Sequence, residues 1–160
     1  MIKVNIICLG KLKEKYLVSA VAEYEKRLTT FCKGNIIELT PVKLSGNPSA
    51  EQINQALKKE GDRIKEKLPK GSYVVSLCIE GKQISSEDLS QMVGDLSIKG
   101  KSSITFIIGS SYGLSDEIKS LSDYKLSMSK MTFPHQLARV MLLEQIYRSF
   151  MISSGGKYHK

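Results

Sequence analysis

The chain has 160 residues, enough for one domain that buries a core without disulfides or metal. Hydrophobic residues at 41% and charged residues at 25% are the balance of a soluble globular protein, and no apolar run approaches the ~20 residues of a transmembrane helix. A formal net charge of +8 and a pI near 9.3 point to a polyanionic partner (RNA, DNA or an anionic membrane) or to a basic surface that serves solubility alone.

Ile2 to Leu9 is an apolar run closed by Gly10, which predicts a strand with at least one buried face. Lys11 to Phe31 predicts a helix with Leu12, Tyr16, Ala20, Tyr24, Leu28 and Phe31 inward and Glu23, Glu25, Lys26 and Arg27 in solvent. Ile36 to Thr40 is a second strand, and Pro41 to Pro48 a loop. Ser49 and Gln52 have capping-box spacing. The helix after them carries Ile53, Leu57, Ile64 and Leu68 and stops at Pro69. Gly61 within it costs about 1 kcal/mol relative to Ala, which close packing would account for.

Ser72 to Ile79 reads as a third strand, ending in Glu80-Gly81-Lys82. Ser85 to Asp88 opens a helix with acids in its first turn, favourable for the helix dipole. Ser103 to Ile108 and Tyr124 to Ser129 are the fourth and fifth strands. Thr132 is placed to cap the last helix, with Pro134 at its first position and Leu137, Val140, Met141, Tyr147, Phe150 and Met151 on its buried face. Strands and helices alternate throughout. The expected fold is therefore α/β, a mostly parallel sheet with helices on both faces, in one domain spanning residues 1–160.

Cys8, Cys32 and Cys78 are odd in number and widely spaced, as core-filling thiols of a reducing cytosol would be. The N-terminus runs straight from strand into Lys11-Leu12-Lys13, unlike a signal peptide, so a cytoplasmic protein is expected. With two histidines and scattered cysteines there is no metal-ligand spacing.

Two strand ends stand out. Ile107 to Leu114 leads from a strand into a turn of small residues, and ligands of open α/β sheets bind beyond the carboxyl ends of strands. It matches neither a dinucleotide nor a nucleoside-triphosphate loop, and an ordinary tight turn reads the same way. Ser127 to Phe133 is a second end of the same kind. Together the two would form a pocket for a polar, planar ligand.

His135 and Arg139 share a helix face at i, i+4, as do Glu144 and Arg148. From Lys119 onward seven Lys and Arg stand against two acids, so the positive charge collects at the C-terminus. The ending Gly155-Gly156-Lys157-Tyr158-His159-Lys160 reads either as a frayed terminus or as a hinged tail that stacks bases and holds phosphates.

Several stretches, in their order and spacing over essentially the whole chain, resemble the RlmH family of SPOUT-class methyltransferases. They are Gly10 to Tyr16, Ala22 to Leu28, Lys59-Glu60-Gly61, Gly81-Lys82 with Ser85 to Glu87, the turn at Gly109 to Leu114, Met131 to Gln136 through Tyr147-Arg148, and the Tyr158-His159 ending. The resemblance implies methylation of N3 of a pseudouridine in 23S ribosomal RNA on the assembled ribosome, without DNA or membrane partners. It also implies a C-terminal trefoil knot, a homodimer and S-adenosylmethionine (SAM) as methyl donor, with no metal.

Carried onto this sequence, the resemblance places SAM against Leu77, Gly109, Met128, Ser129, Lys130, Met131, Thr132 and Phe133. His135, Glu144, Tyr158 and His159 become candidates for proton removal, the tail acting from its own or the partner subunit. Arg139, Arg148, Lys157 and Lys160 become candidates for phosphate contact. Ser110 departs from the second glycine common in that family, and Lys160 from the arginine some members have. Two rivals are a SPOUT enzyme acting on transfer RNA and a non-catalytic RNA-binding or ribosome-assembly protein.

Overall fold

A computed structural model describes residues 1–160. Five strands alternate with five helices: β1 Lys3–Leu9, α1 Lys15–Leu28, β2 Lys33–Leu39, α2 Ala50–Lys67, β3 Tyr73–Lys82, α3 Ser86–Ile98, β4 Ser103–Ile108, α4 Asp116–Leu121, β5 Tyr124–Leu126 and α5 His135–Ser153. All strand pairs are parallel, in the order β2-β1-β4-β3-β5. The interior strands β1 and β4 are covered on both faces, which is why they read as unbroken apolar runs rather than alternating ones.

The sheet separates two cores. On one face Val4, Ile6, Phe106 and Ile108 meet Val21 and Leu28 of α1, Leu89 and Val93 of α3, and Leu142 and Ile146 of α5. On the other Ile7, Leu9, Val74 and Ile107 meet Ile64 of α2 and Ile118 of α4. Ser49 and Gln52 close the capping box expected for α2, and Ser85 and Asp88 form another on α3. At Gly61 an added Cβ would lie 3.0 Å from Ser115 Oγ and 3.3 Å from Ile118 Cγ1, so close packing of α2 on α4 does explain the glycine.

The structure corrects the sequence reading in five places. Helix α1 begins at Lys15 and buries Leu17 and Val21, while Tyr16 is exposed. Counting apolar positions from Leu12, which precedes the helix, shifts the inward face by one residue. Helix α5 buries Leu142, Leu143, Ile146 and Ser149, and leaves Leu137 exposed. Thr132 is not its cap: Pro134 occupies the cap position, its carbonyl accepting from Ala138 N–H, and no side chain caps the helix. Strand β5 stops at Leu126, so Ser127 to Phe133 is loop, and α4 was not anticipated at all.

Candidate functional site

Strands β3, β4 and β5 end on the same side of the sheet, and the segments that follow enclose a cavity of about 730 Å³. Its first wall is the turn after β4. There an added Cβ on Gly109 would fall 2.4 Å from the Gly113 carbonyl oxygen, so only glycine lets the turn close. Gly113 takes φ +84° and donates its N–H to the Ser110 carbonyl at 2.8 Å. Ser110 fits: its hydroxyl donates to Glu60 Oε1 at 2.7 Å, and Glu60 Oε2 accepts Val42 N–H at 3.0 Å. Glu60 is buried, so one carboxylate ties the turn after β4 to the loop after β2.

The second wall is Ser127 to Phe133. Ser127 Oγ donates to the Ser129 carbonyl, and Met131 N–H to Ser129 Oγ, both at 3.0 Å, which shapes the loop without regular structure. The third wall comes from β3. Its pairing with β5 shifts register between Leu77 and Lys82, and Leu77 to Glu80 face the cavity. Glu80 pairs with Lys119, whose hydrogen bond holds the Glu80 carboxyl below its usual titration range.

Of the eight residues expected around SAM, Leu77, Gly109, Met128, Ser129, Met131, Thr132 and Phe133 line this cavity and Lys130 does not. Sequence reading missed Cys78, Ile79, Glu80 and Lys119. The Glu80-Gly81 step at the end of the third strand was the available signal, because an added Cβ on Gly81 would meet the Lys125 and Leu126 backbone at 2.8 Å.

His135 lies in the cavity wall at the start of α5. Burial first, then the charges of Arg139 and Lys13, push its titration below the usual histidine value, so the imidazole is neutral near pH 7. Arg139 corrects the expectation of phosphate contact, because its side chain is only 2% exposed. Its Nη1 pairs with Glu38 Oε2 at 2.7 Å, its Nη2 donates to the Gly10 carbonyl at 3.0 Å, and its buried Nε has no partner.

The remaining polar residues form a separate cluster. Glu144 Oε1 accepts from Arg148 Nε at 2.9 Å and from the Tyr158 hydroxyl at 3.0 Å, while Oε2 accepts from Gln145 at 2.7 Å. Arg148 also stacks over the Tyr158 ring at 4.7 Å. Burial and hydrogen bonds to Tyr24 and Glu144 push the Tyr158 phenol up to about 12, so it donates rather than accepts. His159 lies between Arg148 Nη1, 3.2 Å from Nδ1, and Glu87 Oε1, 2.6 Å from Nε2. Because arginine only donates, Nδ1 accepts and Nε2 carries the proton. The tail thus packs against α3 and α5, with Lys157 and Lys160 exposed. A smaller cavity of about 370 Å³ borders Glu144 and shares Ser127 and Met128 with the large one.

A family model described as "Predicted SPOUT methyltransferase" matches residues 2–159. A protein of Methanococcus maripaludis is 54% identical over 98% of this chain and 99% of its own. The "Ribosomal RNA large subunit methyltransferase H" of Clostridium novyi is 52% identical over 98% of this chain and 99% of its own. Among solved structures, a tRNA methyltransferase of Aquifex aeolicus superposes with TM-score 0.53 at 14% identity, covering 92% of this chain and 69% of that one, a likeness of fold.

Proposed function

The chain belongs to the SPOUT methyltransferase family, and from that premise we propose that it methylates N3 of a pseudouridine in large-subunit ribosomal RNA, with SAM as donor. The observation that carries this reading is the 730 Å³ cavity at the strand ends, in a chain 52% identical end to end to a protein named for ribosomal RNA methylation. The cavity fits such a donor. Its volume is of ligand-pocket size, and Leu77, Ile108, Leu114 and Phe133 offer apolar walls. SAM supplies an electrophilic methyl group; the protein has to hold, orient and remove a proton.

The residues of the chain divide those tasks. Gly109, Met128, Ser129 and Phe133 hold the donor, with Lys130 at the mouth. Neutral His135 in the cavity wall takes the proton from N3 as the nitrogen attacks. Glu144, saturated with donors, positions Tyr158 and the tail rather than accepting a proton itself. Arg148 is bound to Glu144 and acts through it, which leaves Lys157 and Lys160 for phosphate.

Homodimerisation belongs to the same reading. So does the trefoil knot. No helix is long and apolar enough to cross a membrane.

The test is transfer of labelled methyl to assembled ribosomes lacking the modification, with free large subunits and transfer RNA beside them. Label in the assembled ribosomes alone is the expected result. Label in transfer RNA alone would replace the substrate, and SAM binding without any transfer would remove the catalytic reading.

A further inference from the structure

Arg139 is hidden from solvent, yet it shapes a basic surface. Its Nη2 holds the Gly10 carbonyl, and one turn earlier Gln136 Oε1 accepts Lys13 N–H at 2.9 Å. Gly10, at φ +108°, turns the chain sharply off β1. The segment Lys11 to Lys15 is therefore fastened at two points to the first turns of α5. Lys11, Lys13 and Lys15 are exposed, and none takes part in the ion pairs of the structure. Glu14 among them is exposed and unpaired as well.

This turn lies beside the cavity. A Cβ built on Gly10, where the turn begins, would lie 3.9 Å from His135 Nε2, and His135 is in the cavity wall. On the loop that forms another wall, exposed Lys130 sits between Ser129 and Met131, both of which line the cavity. Cations thus stand at the cavity's edge on two separate segments.

We propose that the Lys11–Lys15 turn, with Lys130, binds successive phosphates of the RNA strand that presents the acceptor base. The inference rests on the ribosomal RNA reading and adds where that RNA docks. Alternate lysines along an extended segment lie at most about 7 Å apart, a separation comparable to that of neighbouring phosphates along a strand. Lysine is a point charge on a flexible stem, suited to phosphate contact without base reading. The backbone beneath is already ordered by Arg139 and Gln136, so binding does not have to order it.

The experiment compares wild type with K11Q/K13Q/K15Q and with K33Q/K99Q/K101Q. The second variant removes the same charge from exposed positions at the opposite, amino-terminal edge of the sheet. Binding to large ribosomal subunits lacking the modification is measured between about 50 and 200 mM salt. Each phosphate contact carries roughly 0.7 to 0.9 of the log–log salt slope, so the first variant should lose about 2 to 3 of it, and about tenfold or more in affinity. Its SAM affinity by calorimetry and its thermal midpoint should match wild type, and the second variant should bind within about twofold of wild type.

Unchanged binding by the first variant, or equal losses by both, would overturn the proposal while leaving the ribosomal RNA reading intact. Weaker binding with an unchanged slope would mean that the turn meets a ribosomal protein, and would overturn it too. Wild-type protein that binds SAM but no ribosomal particle would overturn the ribosomal reading itself, and this inference with it.

Discussion

His135 is set by its surroundings to be a base. Burial and the nearby cations Arg139 and Lys13 lower its titration, so above about pH 6.5 it is neutral in both folded and unfolded chains. Below that pH the unfolded chain binds the proton first, so acid erodes stability until the pH passes the folded value. Wild-type activity should therefore fall on acidification with an apparent pKa below 6.5. His135→Ala should lower turnover by about 10²- to 10⁴-fold and remove that acid limb, with SAM affinity by calorimetry little changed. A variant that retained full turnover would end the assignment. Arg139 is of the opposite kind, legible in sequence as a cation but not as a buried one. Arg139→Met strands the Gly10 carbonyl and frees Glu38, and should cost about 1.5 to 3 kcal/mol in urea unfolding. Lysine should restore only part of this, lacking the fork that reaches both partners.

The turn after β4 shows what a short element requires of each position. Gly109→Ala would force a Cβ onto the Gly113 backbone, so SAM binding by calorimetry should be lost. Ser110→Ala leaves space untouched but strips a donor from buried Glu60, and should cost about 1 to 3 kcal/mol in thermal or urea unfolding. A serine-to-alanine variant as stable as wild type would mean that the Glu60 link carries nothing. Elements were legible where local chemistry speaks, as in the Ser49 capping box and the fully apolar β4. They were illegible where packing decides. Helix α5 is apolar on nearly every side because it meets the sheet, α1 and α3 at once, so periodicity selects no face. Helix α4 has only six residues, too few for a period, although Ser115 before Asp116 and Glu117 was a usable start signal.

Over the whole molecule, the alternation of strands and helices was enough to predict a parallel sheet with two covered faces, but not the strand order. That order is what brings the ends of β3, β4 and β5 together, so the Gly109 and Ser127 walls could be named from residue chemistry while the β3 wall was reached only at Leu77, through the family resemblance. The tail was legible only as composition; its closure over Glu144 depends on contacts between α3, α5 and the terminus. The central claim is the reaction itself. The direct measurement is methyl transfer from labelled SAM to assembled ribosomes lacking the modification, followed by digestion to nucleosides and identification by mass, with Gly109→Ala as control. Labelled N3-methylpseudouridine from wild type and none from the control is the predicted result. Label in any other nucleoside, or none with ribosomes and SAM both bound, would contradict it.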